Sequence, residues 1–240
     1  MKRFSSISFV LALLLGNLAW ARTTLENSTE RLHNSGAVLT EISATPDRGI
    51  PEEVLNNAKC VVVVPHLVKG GFVFGAKYGR GVATCRTEQG WSAPAFITVS
   101  GGSFGLQIGA EGVDLVMLVM NDRGLQHLLS SKFELTGEGS VAAGPVGRHA
   151  SAGTDWMLNT ELLTYSRSRG VFAGVTLEGA VVAQDGDSTT AIYGRDVSFR
   201  RILTGRVASP AVAEPFLDAV ADVDHRARVH EHREHAENRN

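Results

Sequence analysis

Residues Trp91–Asn121 read WSAPAFITVSGGSFGLQIGAEGVDLVMLVMN, and this stretch decides the fold class. Ala95–Val99 is a β-rich run, Phe104–Ala110 alternates around glycines, and Leu115–Met120 is six consecutive apolar residues. Gly101-Gly102 and Glu111-Gly112 fall between them as turn chemistry, so three successive strands are expected. The last run is too short to cross a bilayer and has no polar face, which suits a strand buried on both sides.

Upstream the pattern is similar. Cys60-Val-Val-Val-Val64 reads as a buried strand stopped by Pro65, and His66–Gly71 reads as a loop. Phe72–Tyr78 and Gly81–Arg86 read as strands around a Tyr78-Gly79-Arg80-Gly81 turn, with a further turn at Thr87–Gly90. Eleven of the 26 glycines lie between Gly70 and Gly112, which points to tight turns or closely approaching strands. Ile50-Pro51-Glu52-Glu53-Val54-Leu55 is a helix start: proline lacks the N–H that would go unpaired there, and the two acids suit the positive end of the helix dipole. Earlier still, Leu25, Leu32, Leu39 and Ile42 form a narrow apolar stripe over Thr24–Ile42 that is expected to dock on its own domain, with a bend or fraying at Gly36.

Downstream, Asn121 or Asp122 caps a helix whose face is Leu125, Leu128 and Leu129. Strands are expected at Gly139–Ala143, Leu162–Ser166, Val171–Leu177 and Ala180–Gln184, with a bulge at Gly179 and a turn at Asp185-Gly186-Asp187. Val197–Leu203 fits a strand or a short helix, and Ala211–Ala221 a helix with Pro215 near its start. From Asp222 the chain turns polar and carries four of its eight histidines, the composition of a solvated helix extension or a disordered tail.

At 43% hydrophobic and 20% charged the chain has an ordinary globular composition. Its first 21 residues are not read as fold. Lys2-Arg3, the apolar Ile7–Leu15 and Ala19-Trp20-Ala21 form a secretory leader expected to be cut before Arg22. The remainder then carries 21 basic and 25 acidic residues, which gives no basic excess for nucleic acid. Cys60 and Cys85 lie in two expected strands, and in an oxidising compartment they form either a disulfide or two buried thiols.

Candidate chemistry is sparse. Gly101-Gly102-Ser103-Phe104-Gly105 matches the G-x-S-x-G pattern of a serine hydrolase, which needs a strand, a strained turn and then a helix. Here another strand is expected to follow, and no motif places His127, His149 or Asp155 as partners, so Ser103 is read as a turn residue. Lys69-Gly70-Gly71 and Arg80 sit beside glycine turns, where backbone N–H groups and a cation can cradle a phosphate. Arg167 and Arg169 alternate in one strand and offer either a basic face or ordinary charged surface. His225, His230, His232 and His235 lack the spacing of a metal motif, so no metal and no cofactor is expected.

Taken in order, Ile50-Pro51, Val54-Leu55, Ala58-Lys59, Lys69-Gly70-Gly71-Phe72, Tyr78-Gly79-x-Gly81, Trp91-Ser92-Ala93-Pro94 and Gly101–Ala110 resemble the SYLF-domain family. Gly137–Val141, the Ala143-Gly144-Pro145-x-Gly147-Arg148 block and Tyr165–Gly179 continue the likeness, which runs from about Ile50 to Gly205. The resemblance implies binding of phosphoinositides or other anionic phospholipids, and in some eukaryotic members of actin. With a leader present, it implies a secreted, bacterial-type member for which cytoplasmic actin is not the natural partner.

The expectation is therefore one α+β domain with a curved, mainly antiparallel, Gly-rich β-sheet and flanking helices. Residues 1–21 would be the signal peptide, 22–46 an amphipathic helix, 47–221 the SYLF-like domain and 222–240 a His-rich tail. The expected function is non-enzymatic binding of anionic membrane lipid in the periplasm or outside the cell. Lys59 and Lys69 match by motif, and Lys77 and Arg80 join them by proximity to the hairpin. The rivals are an envelope protein-interaction module and, behind it, a hydrolase using Ser103.

Overall fold

The computed structural model describes residues 3–45, 49–71, 74–104, 109–135, 141–144, 160–168, 171–172, 177 and 179–237, and the side chains of those from Arg22 to Val229 apart from 74, 103–104, 109–110 and 171–172. Among these residues are β1 (Cys60–Gly71), β2 (Phe74–Thr87), β3 (Gly90–Trp91), β4 (Ala95–Phe104), β5 (Gly109–Val119), β6 (Lys132–Glu134), β7 (Val141–Ala143), β8 (Leu162–Ser168), β9 (Val171–Phe172) and β10 (Val181–Gln184). They build a curled half-barrel in the order β6-β10-β4-β2-β1-β5-β8-β7, with β3 paired to β2 and β9 to β8. Every pairing is antiparallel except β7 with β8. The α+β expectation with a mainly antiparallel sheet holds.

The central strands are longer than the glycines suggested. Instead of stopping at Pro65, β1 runs on to Gly71 through a one-residue bulge, because both its registers shift between Val63 or Val64 and the Leu67–Val68 rung. A central strand tolerates proline only at such an interruption of the ladder. His66 adopts φ 55°, in the left-handed region, and its N–H donates to Asp114 Oδ1 at 3.0 Å.

The neighbouring glycines leave room for this bulge and are not turns. A Cβ on Gly81 would stand 2.3 Å from the Val63 carbonyl oxygen, one on Gly79 2.6 Å from Val64, and one on Gly112 2.4 Å from the His66 ring. Tyr78–Gly81 is thus the middle of β2, Gly101-Gly102 belongs to β4, and Glu111-Gly112 to β5. The loop at 105–108 and the link at 72–73 lie outside the described residues, as do Gly137–Ser140, Pro145–Arg148 and residues 173–176.

Six helices flank the sheet among the described residues: α1 (Arg3–Ser43), α2 (Glu52–Asn57), α3 (Asp122–Leu129), α4 (Gly186–Tyr193), α5 (Phe199–Leu203) and α6 (Glu214–Glu237). One face of the sheet presents Val61, Val63, Val82, Phe96, Val116 and Leu118 to α1, α2 and α6. The other presents Val62, Val64, Ile97, Val99, Leu115 and Met117 to a second core with Leu128, Leu129, Phe199 and Ile202.

The stripe of α1 docks as expected, with Leu32, Leu39 and Ile42 fully buried, although Leu25 is exposed. The helix runs through Gly36 without interruption. A Cβ there would approach Ala219 Cβ and the Pro215 carbonyl oxygen to 3.2 Å, so the glycine serves close packing of α1 on α6. Asn121 caps α3 by accepting from the Gly124 N–H.

Two further expectations are corrected. Asp185–Asp187 begins helix α4 and is not an isolated turn. Gly179 (φ 69°) occupies a turn closed by the Ala180 N–H donating to the Leu177 carbonyl, without a strand bulge. Of the two readings from Asp222 onwards, the helix extension holds as far as Glu237: α6 continues across Asp222 and buries Val223 and Ala227. Val197–Leu203 resolves as helix α5.

Gly81→Ala should lower the free energy of unfolding by about 1–3 kcal/mol, since the new methyl meets backbone that the bulge fixes. Gly186→Ala has nothing within 4 Å of its new methyl and lies in a helix, so it should be neutral or stabilising. Urea unfolding of the two variants checks the contrast.

Candidate functional site

Beyond the bulge, β1 pairs with β2 on one side and β5 on the other, and β2 pairs in turn with β4, so four strands run side by side in the order β4-β2-β1-β5. Because side chains alternate between faces, the register sorts this end of the sheet into two surfaces. On the α1 side Gly112, Val68, Tyr78 and Ser100 stand in one row, and Gly70, Ala76 and Gly102 in the next. On the opposite side the row is Glu111, Lys69, Lys77 and Gly101. Val68 and Tyr78 are directly paired and 44% and 47% exposed; with Leu25 they are the large hydrophobic side chains left in solvent among the described residues.

The structure does not bring the four expected basic residues together. Lys69 and Arg80 are at this end: Lys69 Nζ lies 3.1 Å from Glu111 Oε2, and Arg80 Nε donates to Tyr78 Oη at 2.9 Å. Lys77 sits directly opposite Lys69 but is only 6% exposed, lying across the space that a Gly101 Cβ would need, so its charge is not offered at the surface. Lys59 precedes β1 and pairs with Asp122 at 2.7 Å, roughly 30 Å from Lys69 at the rise of an extended strand. The clustering expected from motif order fails because that order does not reveal how far one strand carries the chain.

The other expected residues fall as follows. Cys60 and Cys85 are opposed in the β1–β2 register and bonded to each other. Ser103 lies within β4 opposite Gly75, and the strand continues to Phe104, so the backbone around it is not a strand–turn–helix elbow. His127 Nδ1 is 2.9 Å from Glu161, whereas His149 and Asp155 lie outside the described residues. Arg167 pairs with Glu41 and lies 3.6 Å from Asp114, so it is a bridge from β8 to α1 and β5 rather than half of a basic face. Arg169 and the side chains of His230, His232 and His235 are outside the description. Among the described residues no group of three or more His, Cys, Asp or Glu is arranged to hold a metal.

Residues 100–223, from the glycine run of β4 into α6, match the family model described as Ysc84, Las17-binding protein actin regulator. The chain belongs to the Ysc84 family. It is 38% identical over 170 residues to an SH3 domain-containing protein of Schizosaccharomyces pombe, covering 69% of this chain and 39% of the relative. Protein YSC84 of Saccharomyces cerevisiae is 32% identical over 194 residues, 79% of this chain and 41% of the relative. The human SH3 domain-containing YSC84-like protein 1 is 35% identical over 179 residues, 73% of this chain and 52% of the relative. The chain thus matches about half or less of the length of these relatives.

Two ion pairs that the sequence pattern did not reveal hold the Ysc84 fold around this site. Arg31 of α1 donates to Asp185 Oδ2 at 3.0 Å, both buried, and its guanidinium lies 5.6 Å from the Phe96 ring centre. Asp185 also caps α4 by accepting from the Ser188 N–H and Oγ. Burial opposes ionisation of Asp185, but the bonds from Ser188 and Arg31 outweigh it and hold the carboxyl below its ordinary value of 3.8. Farther along β2, on the same face of the sheet, Arg86 donates to both Asp224 oxygens and to the carbonyls of Leu55 and Ala58, with its guanidinium 4.5 Å from the Trp91 ring centre. Burial likewise opposes the Asp224 charge and is outweighed by Arg86 and Arg228, so this carboxyl too titrates low. Asp185 three residues before Ser188 was the available signal, a capping pattern hidden by a short polar helix.

Asp185→Ala strands Arg31 in the core and should cost about 3–5 kcal/mol. Since both carboxyls titrate lower when folded, their stabilisation is fully present above the ordinary carboxylate range and is lost as pH falls below 3.8 through the folded values. Urea midpoints measured from neutral to acid pH should therefore fall steeply in the wild type and less steeply in Asp224→Asn.

Proposed function

We propose that this chain is a non-enzymatic binding module whose hairpin end docks on an anionic lipid surface, in the periplasm or outside the cell after cleavage near Ala21. The observation that carries the reading is the exposed Val68–Tyr78 pair with Arg80 bonded to Tyr78 and Lys69 on the reverse face. Apolar side chains backed by cations at one end of a rigid sheet suit an interface whose interior is apolar and whose rim carries phosphate. Burying Val68 or Tyr78 is worth ~1.5–3 kcal/mol each, and a cation near an anionic surface adds about 1 kcal/mol. The apolar pair therefore supplies most of the affinity, and the cations select the charge of the surface.

The family description and the name LAS seventeen-binding protein 3 of a Saccharomyces cerevisiae relative support a second reading, in which the same end docks on a protein partner. For a secreted chain that partner would be an envelope protein, not cytoplasmic actin.

Flotation of residues 22–240 with neutral and anionic vesicles separates the two. The first buried residue of α1 among those described is Ser28, so this chain keeps the docked helix. Anionic vesicles should carry it up, high salt should weaken the effect, and Val68→Ser or Tyr78→Ser should each reduce binding roughly tenfold, as expected from losing ~1.5 kcal/mol of apolar transfer. Absence of flotation on every vesicle would transfer the hairpin end to a protein partner.

A further inference from the structure

Lys69 stands between unlike neighbours. Across the β1–β2 ladder it faces Lys77, and across the β1–β5 ladder it faces Glu111. Like charges directly opposed destabilise a sheet, and Glu111 relieves this by holding the Lys69 ammonium at 3.1 Å. Both side chains of the pair remain partly in water, at 28% and 44% exposure. Such a pair is worth at most about fivefold in an equilibrium constant. A basic residue gains about as much on reaching an anionic membrane surface. Lys69 is therefore poised between two acceptors of similar strength.

We infer that Glu111 is a built-in competitor for Lys69, holding the lysine in the undocked state and yielding it to lipid phosphate only where anionic headgroups are dense. This deepens the docking reading and rests on it. On a sparsely charged surface the exchange gains nothing and leaves the Glu111 carboxylate facing the phosphates. On a densely charged one several phosphates compete with a single carboxylate. The other acid near this end, Asp114, is engaged elsewhere: it accepts from the His66 N–H and lies beside Arg167. Lys77 is buried and stays behind when Lys69 changes partner. Docking then has a threshold in anionic lipid content, and Glu111 sets it.

The test is flotation of the mature chain, residues 22–240, on phosphatidylcholine vesicles of rising phosphatidylglycerol content. The variants are Glu111→Gln, Lys69→Gln, the two combined, and Glu88→Gln, which removes the same charge from the exposed β2–β3 turn at the far end of β2. Circular dichroism melts confirm that each variant is folded. Glu111→Gln should move the midpoint to lower phosphatidylglycerol content and tighten binding about fivefold at fixed content, whereas Glu88→Gln should have little effect. In the Lys69→Gln background the gain from Glu111→Gln should shrink to that of Glu88→Gln. If wild type floats and Glu111→Gln behaves like Glu88→Gln, the competitor role is wrong while the docking reading stands. A gain undiminished without Lys69 would show simple repulsion and overturn it equally. Wild type that binds no vesicle overturns the docking reading and this inference with it.

Discussion

The extra residue in the middle of β1 is the constraint on which the rest of the sheet depends. Before the bulge, even-numbered Val62 and Val64 point into the core that holds Leu115 and Met117. After it, odd-numbered Leu67 points the same way, because one residue has been gained against both neighbours. A straight β1 would place Leu67 under α1 and exchange the faces of Val68 and Lys69, since a one-residue slip turns every side chain over. The exposed apolar pair and the Lys69–Glu111 pair thus owe their separation to Pro65-His66. The shift imposes demands on its surroundings: glycine at 79 and 81 on one side, glycine at 112 on the other, and an acceptor for the displaced His66 N–H. Asp114 supplies that acceptor, and Arg167 links it to Glu41 of α1, so the helix is fastened to the same irregularity.

That arrangement explains what could be read from the sequence and what could not. Apolar runs such as Cys60–Val64 and Leu115–Val119 were legible because burial on both faces needs no partner to be recognised. Caps with a local signature, such as Asn121, were legible for the same reason. The glycines were misread. A glycine required because another strand crowds it carries the same letter as one required by a turn or cap, and among the described glycines Gly90, Gly179, Gly194 and Gly205 have positive φ. The family blocks identified the chain without revealing that Tyr78–Gly81 is strand.

The candidate site was legible in part for a similar reason. Lys69, Lys77 and Arg80 are close in sequence and were grouped by that closeness, but the pleat divides them. Lys77 and Arg80 are three residues apart in one strand and so face opposite ways. Val68 falls in an expected loop and Tyr78 at the start of an expected turn, so the sequence alone does not pair them. Only the register, which puts them opposite each other past the last covering residue, shows that they are exposed together. Long-range ion pairs are invisible in the same way: Arg31 and Asp185 are 154 residues apart.

The polar pairs in this protein are of two kinds, and their burial and bonding set them apart. Arg31–Asp185 is buried and Arg86–Asp224 partly buried, each backed by further hydrogen bonds and an aromatic ring, so removing one partner of Arg31–Asp185 would strand a charge. They fix α1, α4 and α6 to the sheet. Lys69–Glu111 and Arg80–Tyr78 stand in water at the end of the same strands, where a new partner can replace the old one at little cost. A surface made of fully unpaired cations would adhere to any polyanion. One whose cations are lightly held, behind an apolar pair that needs somewhere to bury, engages only where charge and an apolar interior occur together. A lipid bilayer with anionic headgroups is a surface that offers both, which is why the proposed docking reading favours it.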